Sequence, residues 1–216
     1  MSTDTTPLDT SDLDAELDSA GLLDGATADL LFRAARTAGA FTADEVTDAQ
    51  LQAAYDLAKW GPTAMNVTPL RMLVVRTPEA RARLAAHMNE GNRQRVLDAP
   101  VTLLLAADTR FHQHLPLLAP HRAEMVDTFE AMPQMREQMA RNNAWLQAGY
   151  LVVALRAAGL ATAPMGGMDA TAIDDDLLAG TGWASLFVVN VGQAEGAQYP
   201  FPRAARLDWD QATRTV

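Results

Sequence analysis

The run Val101-Thr-Leu-Leu-Leu-Ala-Ala constrains this chain more than any other stretch, because it is apolar at odd and even positions alike. A strand turns successive side chains to opposite faces, so a strand of this kind must be covered on both. Ser185-Leu-Phe-Val-Val-Asn-Val-Gly reads as a central strand, and Arg71-Met-Leu-Val-Val-Arg-Thr and Leu160 to Ala163 as further strands. Helical spacing predicts helices from about Thr27 to Ala38, from Thr47 to Gly61-Pro62, from Pro78 to His87, from Gln134 to Ala158 and from Asp169 to Leu178. Pro62 and Gly159 stop two of them. The chain is therefore mixed α and β. With no internal repeat and no linker between two halves, residues 27–216 are expected to form one folded domain. The most apolar stretch, Ala144 to Ala163, carries Gln147 and Arg156, which suits a core helix and not a membrane span.

Charge narrows the partners. The formal net charge is −10, but eight acidic residues precede Arg33, so the body of the chain is close to neutral. No basic stripe suited to a phosphate backbone is present, and nucleic acid is not an expected partner. Residues 1–26 read as an acidic, solvated extension with a short helix near Ala15 to Leu23. The start MSTDTTPLDT has neither a basic opening nor an apolar run, and there is no cysteine, so a cytoplasmic protein without disulfides or thiolate chemistry is expected.

No nucleophile elbow, paired-histidine zinc motif, P-loop or strand-borne dinucleotide fingerprint occurs in the sequence. The histidines at 87, 112, 114 and 121 have no carboxylate spacing that would complete a metal site, so no metal is expected. What remains is Arg36-Thr37 and three segments rich in small hydrogen-bonding residues: Pro62 to Pro69, Pro164 to Asp169, and the surroundings of Arg203. Guanidinium groups, amide side chains and paired glycines suit a planar, phosphorylated ligand, although each also serves ordinary structural ends. Phe111 to Met139 is rich in Met, His and Pro, a mixture expected of helices bordering a cavity.

Taken in order, these segments resemble the nitroreductase family. Arg36-Thr37-Ala-Gly-Ala-Phe41 is similar to its opening R-S-x-R-x-F element, and Lys59 to Pro69 resembles its A-P-S-x-x-N-x-Q-P loop. Asn92 stands before Val96 to Pro100 and a buried strand, as a flavin-contacting asparagine of that family does. Pro164-Met165-Gly166-Gly167-Met168-Asp169 resembles the P-x-x-G-F-D flavin loop, and Pro202-Arg203 completes the set. One departure is Gly39, where many members carry a second arginine. Lys59 to Asn66, Gly91-Asn92, Leu97 to Thr102, Leu115 to His121, Arg141 to Leu151 and Ala163 to Asp169 further resemble the malonic semialdehyde reductases of pyrimidine breakdown.

The resemblance implies an α+β, three-layer α/β/α fold around a central, mostly antiparallel mixed sheet, with FMN bound at the interface of a homodimer. It implies that NADH or NADPH reduces FMN, leaves, and is replaced by an oxidant, the flavin rather than a side chain carrying the hydride. The implied cofactor contacts are Arg36, Thr37 and Arg203 at the phosphate, with Arg33 or Arg206 as alternatives. Pro62, Thr63, Ala64 and Asn66 come from the partner subunit, and Asn92, Pro164, Met165, Gly166 and Gly167 lie at the ring. Phe111 and His121 would frame the substrate entrance, and Arg141 would recognise a substrate carboxylate. Reduction of malonic semialdehyde to its 3-hydroxy acid is the implied activity, beside a generalist nitro or quinone reductase and a flavin-binding protein without turnover.

Overall fold

The computed structural model describes residues 23–196 and 202–216. The helix expected near Ala15 to Leu23 falls, but for Leu23, outside the described residues. Helix α1 (Gly25–Ala28) is capped by Asp24, whose carboxylate accepts from the Thr27 N–H at 2.8 Å. It runs into a wider-wound turn, Asp29–Arg33, and stops there. Helical spacing alone carries this helix as far as Ala38, and the structure corrects that expectation. The Ala38 N–H is taken by the Thr162 carbonyl at 3.0 Å, and Phe41 bridges Ala194, so the segment is drawn out along the sheet.

Helix α2 (Asp48–Ala58) begins with a reciprocal capping box between Thr47 and Gln50 and buries Leu51, Ala54 and Ala58. Strand β1 (Leu70–Val75) leads to α3 (Pro78–Ala86), capped by Thr77, and then to α4 (Glu90–Asp98). The last was not legible in the sequence: its only fully buried side chain is Val96, so EGNRQRVLD has no apolar stripe to reveal it. Strand β2 (Val101–Asp108) is buried along its whole length. Short helical turns come next, including α5 (Leu115–Leu118) and α6 (Met125–Ala131), before the long α7 (Pro133–Ala157). Strand β3 (Ala161–Met165), α8 (Ala170–Leu177), β4 (Trp183–Gly192) and α9 (Trp209–Ala212) complete the order.

The strands lie in the order β1-β2-β4-β3, and every pairing is antiparallel. The two-sided apolar pattern of β2 explains the layers. Leu103, Leu105, Val189 and Val191 pack with α2 and α7 on one face, while Leu104, Ala106 and Val188 pack with Leu84, Val96 and Ile173 on the other. The fold is thus α+β, with helices on both faces of the sheet.

Candidate functional site

The loop from Pro62 to Pro69 is held in an unusual conformation. Met65, Asn66 and Thr68 have φ of 53°, 56° and 35°. Such backbone costs on the order of 1–3 kcal/mol per residue and persists only where its surroundings enforce it. Here α7 does the enforcing. The Ala64 N–H donates to Asn143 Oδ1 at 2.8 Å, the Leu70 N–H to Gln147 Oε1 at 2.9 Å, and the Tyr150 hydroxyl to the Pro62 carbonyl at 3.2 Å. These three side chains occupy successive turns of one helix face. A Cβ at Gly61 would overlap the Tyr150 ring, which explains the glycine before Pro62. Asn66 Nδ2 donates to the Leu118 carbonyl at 2.7 Å, tying the loop also to α5. Substituting Gln147 by leucine should strand the buried Leu70 N–H and lower the unfolding free energy by about 1–3 kcal/mol, readable from the urea midpoint at unchanged slope.

The second segment begins inside β3. Pro164 is tolerated there because β3 is an edge strand. Beyond it the two glycines differ. A Cβ on Gly166 would meet nothing within 4 Å, whereas one on Gly167 would lie 2.8 Å from Asn92 Nδ2 and 3.0 Å from Asn89 Nδ2. Asn92 donates to the Gly167 carbonyl at 3.2 Å, and the Asn89 N–H does so at 3.0 Å, so α4 braces the loop from behind. Gly166 is left facing a groove of about 430 Å³ whose walls include Trp145, Gly149 and Val152 of α7, Met165 and Phe187. Trp145 stacks on Phe187 with ring centres 4.6 Å apart.

A clasp supports the same loop. The Asp169 N–H donates to the His87 carbonyl at 2.8 Å, and the His87 ring lies 3.0 Å from Asp176. Hydrogen bonds from Arg83 and then His87 hold the Asp176 carboxyl below its ordinary value. Because its folded-state value is depressed, its contribution to stability is present above the ordinary carboxylate range and lost as pH falls through the folded value. Asp176→Asn should therefore flatten the acid side of the stability profile below about pH 4, as followed by thermal melts.

At the opposite end of β3, Arg36 lines a cavity of about 330 Å³ together with Arg156, Thr162 and Gln193. Arg203 approaches the same region, donating to the carbonyls of Phe32 at 3.1 Å and Ala35 at 3.2 Å. Thr37 lies between Arg36 and the buried Ala38. Arg33 pairs with Asp29 at 2.9 Å, and Arg206 folds back on the carbonyls of Ala204 and Ala205. Arg156, whose charge in the sequence argues only against a membrane span, lines the same cavity.

The expected substrate residues fare unequally. Phe111 is fully buried against Phe129, ring centres 5.2 Å apart, so it belongs to the core and cannot line an entrance. Its apolar neighbours, and not a ligand, explain it. His121 stands exposed on the turn Pro120–Arg122 and lines none of these cavities. Arg141 is partly exposed, paired with Glu137 at 3.2 Å and one helical turn before Trp145. His112 is buried with Nε2 2.6 Å from Glu130, a structural tie between α6 and the preceding turn. Among the described residues no group of three or more His, Cys, Asp or Glu side chains could hold a metal, and no helix is long and apolar enough to cross a membrane.

The structure thus ties Arg203 to the segment just before Arg36 and Asn92 to Gly167, but does not bring the Pro62 loop to the glycine groove. Asn143, Gln147 and Tyr150 turn toward the loop, while Trp145, Ala148 and Val152 turn toward the groove. A further, almost wholly apolar cavity of about 540 Å³ separates them, with Phe32, Leu57 and Leu146 on its walls at 52%, 58% and 46% exposure.

Comparison with known proteins accords with this arrangement. The model of the nitroreductase family matches residues 33–193. A Streptomyces coelicolor protein provisionally named NADH dehydrogenase/NAD(P)H nitroreductase is 50% identical over 195 residues, covering 90% of this chain and 98% of the relative. Among solved structures, a nitroreductase family protein of Streptococcus pneumoniae superposes with a TM-score of 0.74 at 22% identity, over 86% of this chain and 98% of that one. A nitroreductase-like protein of Exiguobacterium sibiricum, solved in complex with FMN, superposes with a TM-score of 0.72 at 18% identity, over 86% and 95%. Matched by the family model over most of its length and 50% identical to a relative that it covers almost completely, this chain belongs to the nitroreductase family.

Proposed function

We propose that the chain, with residues 27–216 as its folded unit, is an FMN-dependent NAD(P)H oxidoreductase that works as a homodimer. We propose further that it reduces malonic semialdehyde to 3-hydroxypropanoate in pyrimidine degradation. One observation carries the flavin reading. The edge strand β3 joins a groove that Gly166 leaves open to a cavity where arginines converge, one end apolar and the other cationic. A flat ring bearing a phosphate matches both ends, and the Exiguobacterium sibiricum neighbour was solved with FMN.

In this reading Arg36, Thr37 and Arg203 hold the phosphate. Asn92, Pro164, Met165, Gly166 and Gly167 seat the ring, and Pro62, Thr63, Ala64 and Asn66 reach it from the second copy. The bound flavin supplies hydride transfer, which accounts for a site without an acid–base pair. The chain's own residues orient it: α4 fixes the Gly167 carbonyl, the missing side chain at 166 lets the ring approach, and Trp145 and Phe187 keep that end dry. NADH or NADPH and the oxidant then occupy the same face in turn. The dimer is supported by the strained loop, which lines no cavity with the groove of its own chain, and by the exposed apolar walls between them.

Arg141, on the helix that walls the groove, is the proposed partner of the substrate carboxylate, with His121 as a second candidate. A second reading, a generalist nitro or quinone reductase, is favoured by the name of the Streptomyces coelicolor relative. Steady-state turnover of malonic semialdehyde against a nitroaromatic separates the two, and negligible aldehyde reduction excludes the first. Anaerobic mixing with NADH and with NADPH tests turnover itself: flavin absorbance that stays oxidised with both donors would leave a flavin-binding protein and no enzyme.

A further inference from the structure

The cavity beside Arg36 offers more than two arginines. Arg156 enters it from the last turn of α7, and Thr162 enters from β3. Thr162 is 1% exposed, and its hydroxyl has no hydrogen-bond partner among the described residues. A buried hydroxyl left so is costly unless something meets it. Two polar neighbours are committed elsewhere. Gln193 Nε2 donates to the Gly159 carbonyl at 3.3 Å, and Asp29, which also lines the cavity, is held by Arg33 at 2.9 Å.

Arg156 is anchored by one nitrogen, which donates to the Leu31 carbonyl at 2.9 Å. Burial, and after it the nearby charge of Arg203, push its guanidinium below the ordinary arginine value. The repulsion between Arg156 and Arg203 is relieved by an anion, and a doubly ionised group with several acceptor oxygens relieves it best.

We infer that Arg156 and Thr162 complete the phosphate end of the flavin site, so that the cavity selects a phosphorylated flavin over riboflavin. This rests on the flavin reading proposed for the chain. Arg156 supplies the third guanidinium beside Arg36 and Arg203, and the Thr162 hydroxyl donates to a phosphate oxygen.

The test is titration of the full chain with FMN and, separately, with riboflavin, monitored by quenching of flavin fluorescence. Wild type should bind FMN at least tenfold more tightly than riboflavin. Arg156→Met should weaken FMN roughly tenfold or more while leaving riboflavin unchanged, and Arg156→Lys should recover part of the difference. Thr162→Val should weaken FMN severalfold without lowering the melting temperature of the flavin-free protein, because it removes a polar atom that has no partner. Equal weakening of both flavins by Arg156→Met would make Arg156 a brace for Leu31 alone and overturn the inference. So would unchanged FMN affinity in both variants. Wild type that binds neither flavin would instead bring down the flavin reading itself, and this inference with it.

Discussion

Gly166→Val should give a stable, folded protein that has lost its flavin. A Cβ at this position meets no atom of the chain within 4 Å, and Gly166 is not among the glycines with positive φ, so the apo-protein has no reason to resist the change. The added methyls would stand in the groove between Met165 and α7, where the ring is to lie. Forcing extra carbons into a filled site costs about 1–3 kcal/mol, which corresponds to roughly five- to 150-fold in the dissociation constant of FMN. NAD(P)H-driven turnover should fall with it. The control is Gly167→Ala, whose Cβ would press on Asn92 and Asn89 at 2.8 and 3.0 Å. That variant should lower the melting temperature, because its added Cβ collides with the chain's own asparagines. A Gly166→Val protein with unchanged flavin affinity would mean that the groove holds something else.

Leu146→Asp should split the dimer and release FMN in the same step. Leu146 is 46% exposed on the wall of the large apolar cavity, so a carboxylate there leaves the protomer's own core undisturbed. In a two-fold assembly the charge enters the interface twice, and burying an unpaired carboxylate costs several kcal/mol per copy. Leu57→Asp, on the same wall at 58% exposure, should do the same. Light scattering should show monomers, and those monomers should be unable to hold flavin, because Pro62 to Asn66 no longer face the partner's groove. Monomers with full FMN affinity would show that one chain suffices for the site.

Much of the scaffold was legible because its signals are local. Thr47 and Gln50 announce α2, Gly61-Pro62 bars it from continuing, and the two-sided apolar pattern of Val101 to Ala107 demanded helices on both sheet faces. Where tertiary contacts decide, the sequence was silent or misleading. Residues 34–38 look helical, yet Thr162 takes the Ala38 N–H and draws them straight. Helix α4 is polar on nearly every side, and its purpose, bracing Gly167 through Asn89 and Asn92, is visible only in three dimensions. Phe111 sits in a segment whose composition suggested a cavity, but its ring found Phe129.

The site was legible as a set of segments rather than as a geometry. Arg36 and Arg203 lie far apart in sequence, and the hydrogen bonds of Arg203 to the carbonyls of Phe32 and Ala35 show that the fold draws it to the segment before Arg36. Asn143 and Gln147 lie in a segment that carries the resemblance, but nothing in the sequence shows what an amide in a long helix holds. Their role appears once the positive φ angles of Met65, Asn66 and Thr68 show how much backbone they hold in place.

The most direct measurement is the visible spectrum of the purified protein taken together with its solution mass. The expected result is a yellow protein with about one FMN per chain and the mass of two chains, its absorbance bleached by NADH or NADPH without oxygen. A colourless monomer that takes up no added FMN would contradict the account.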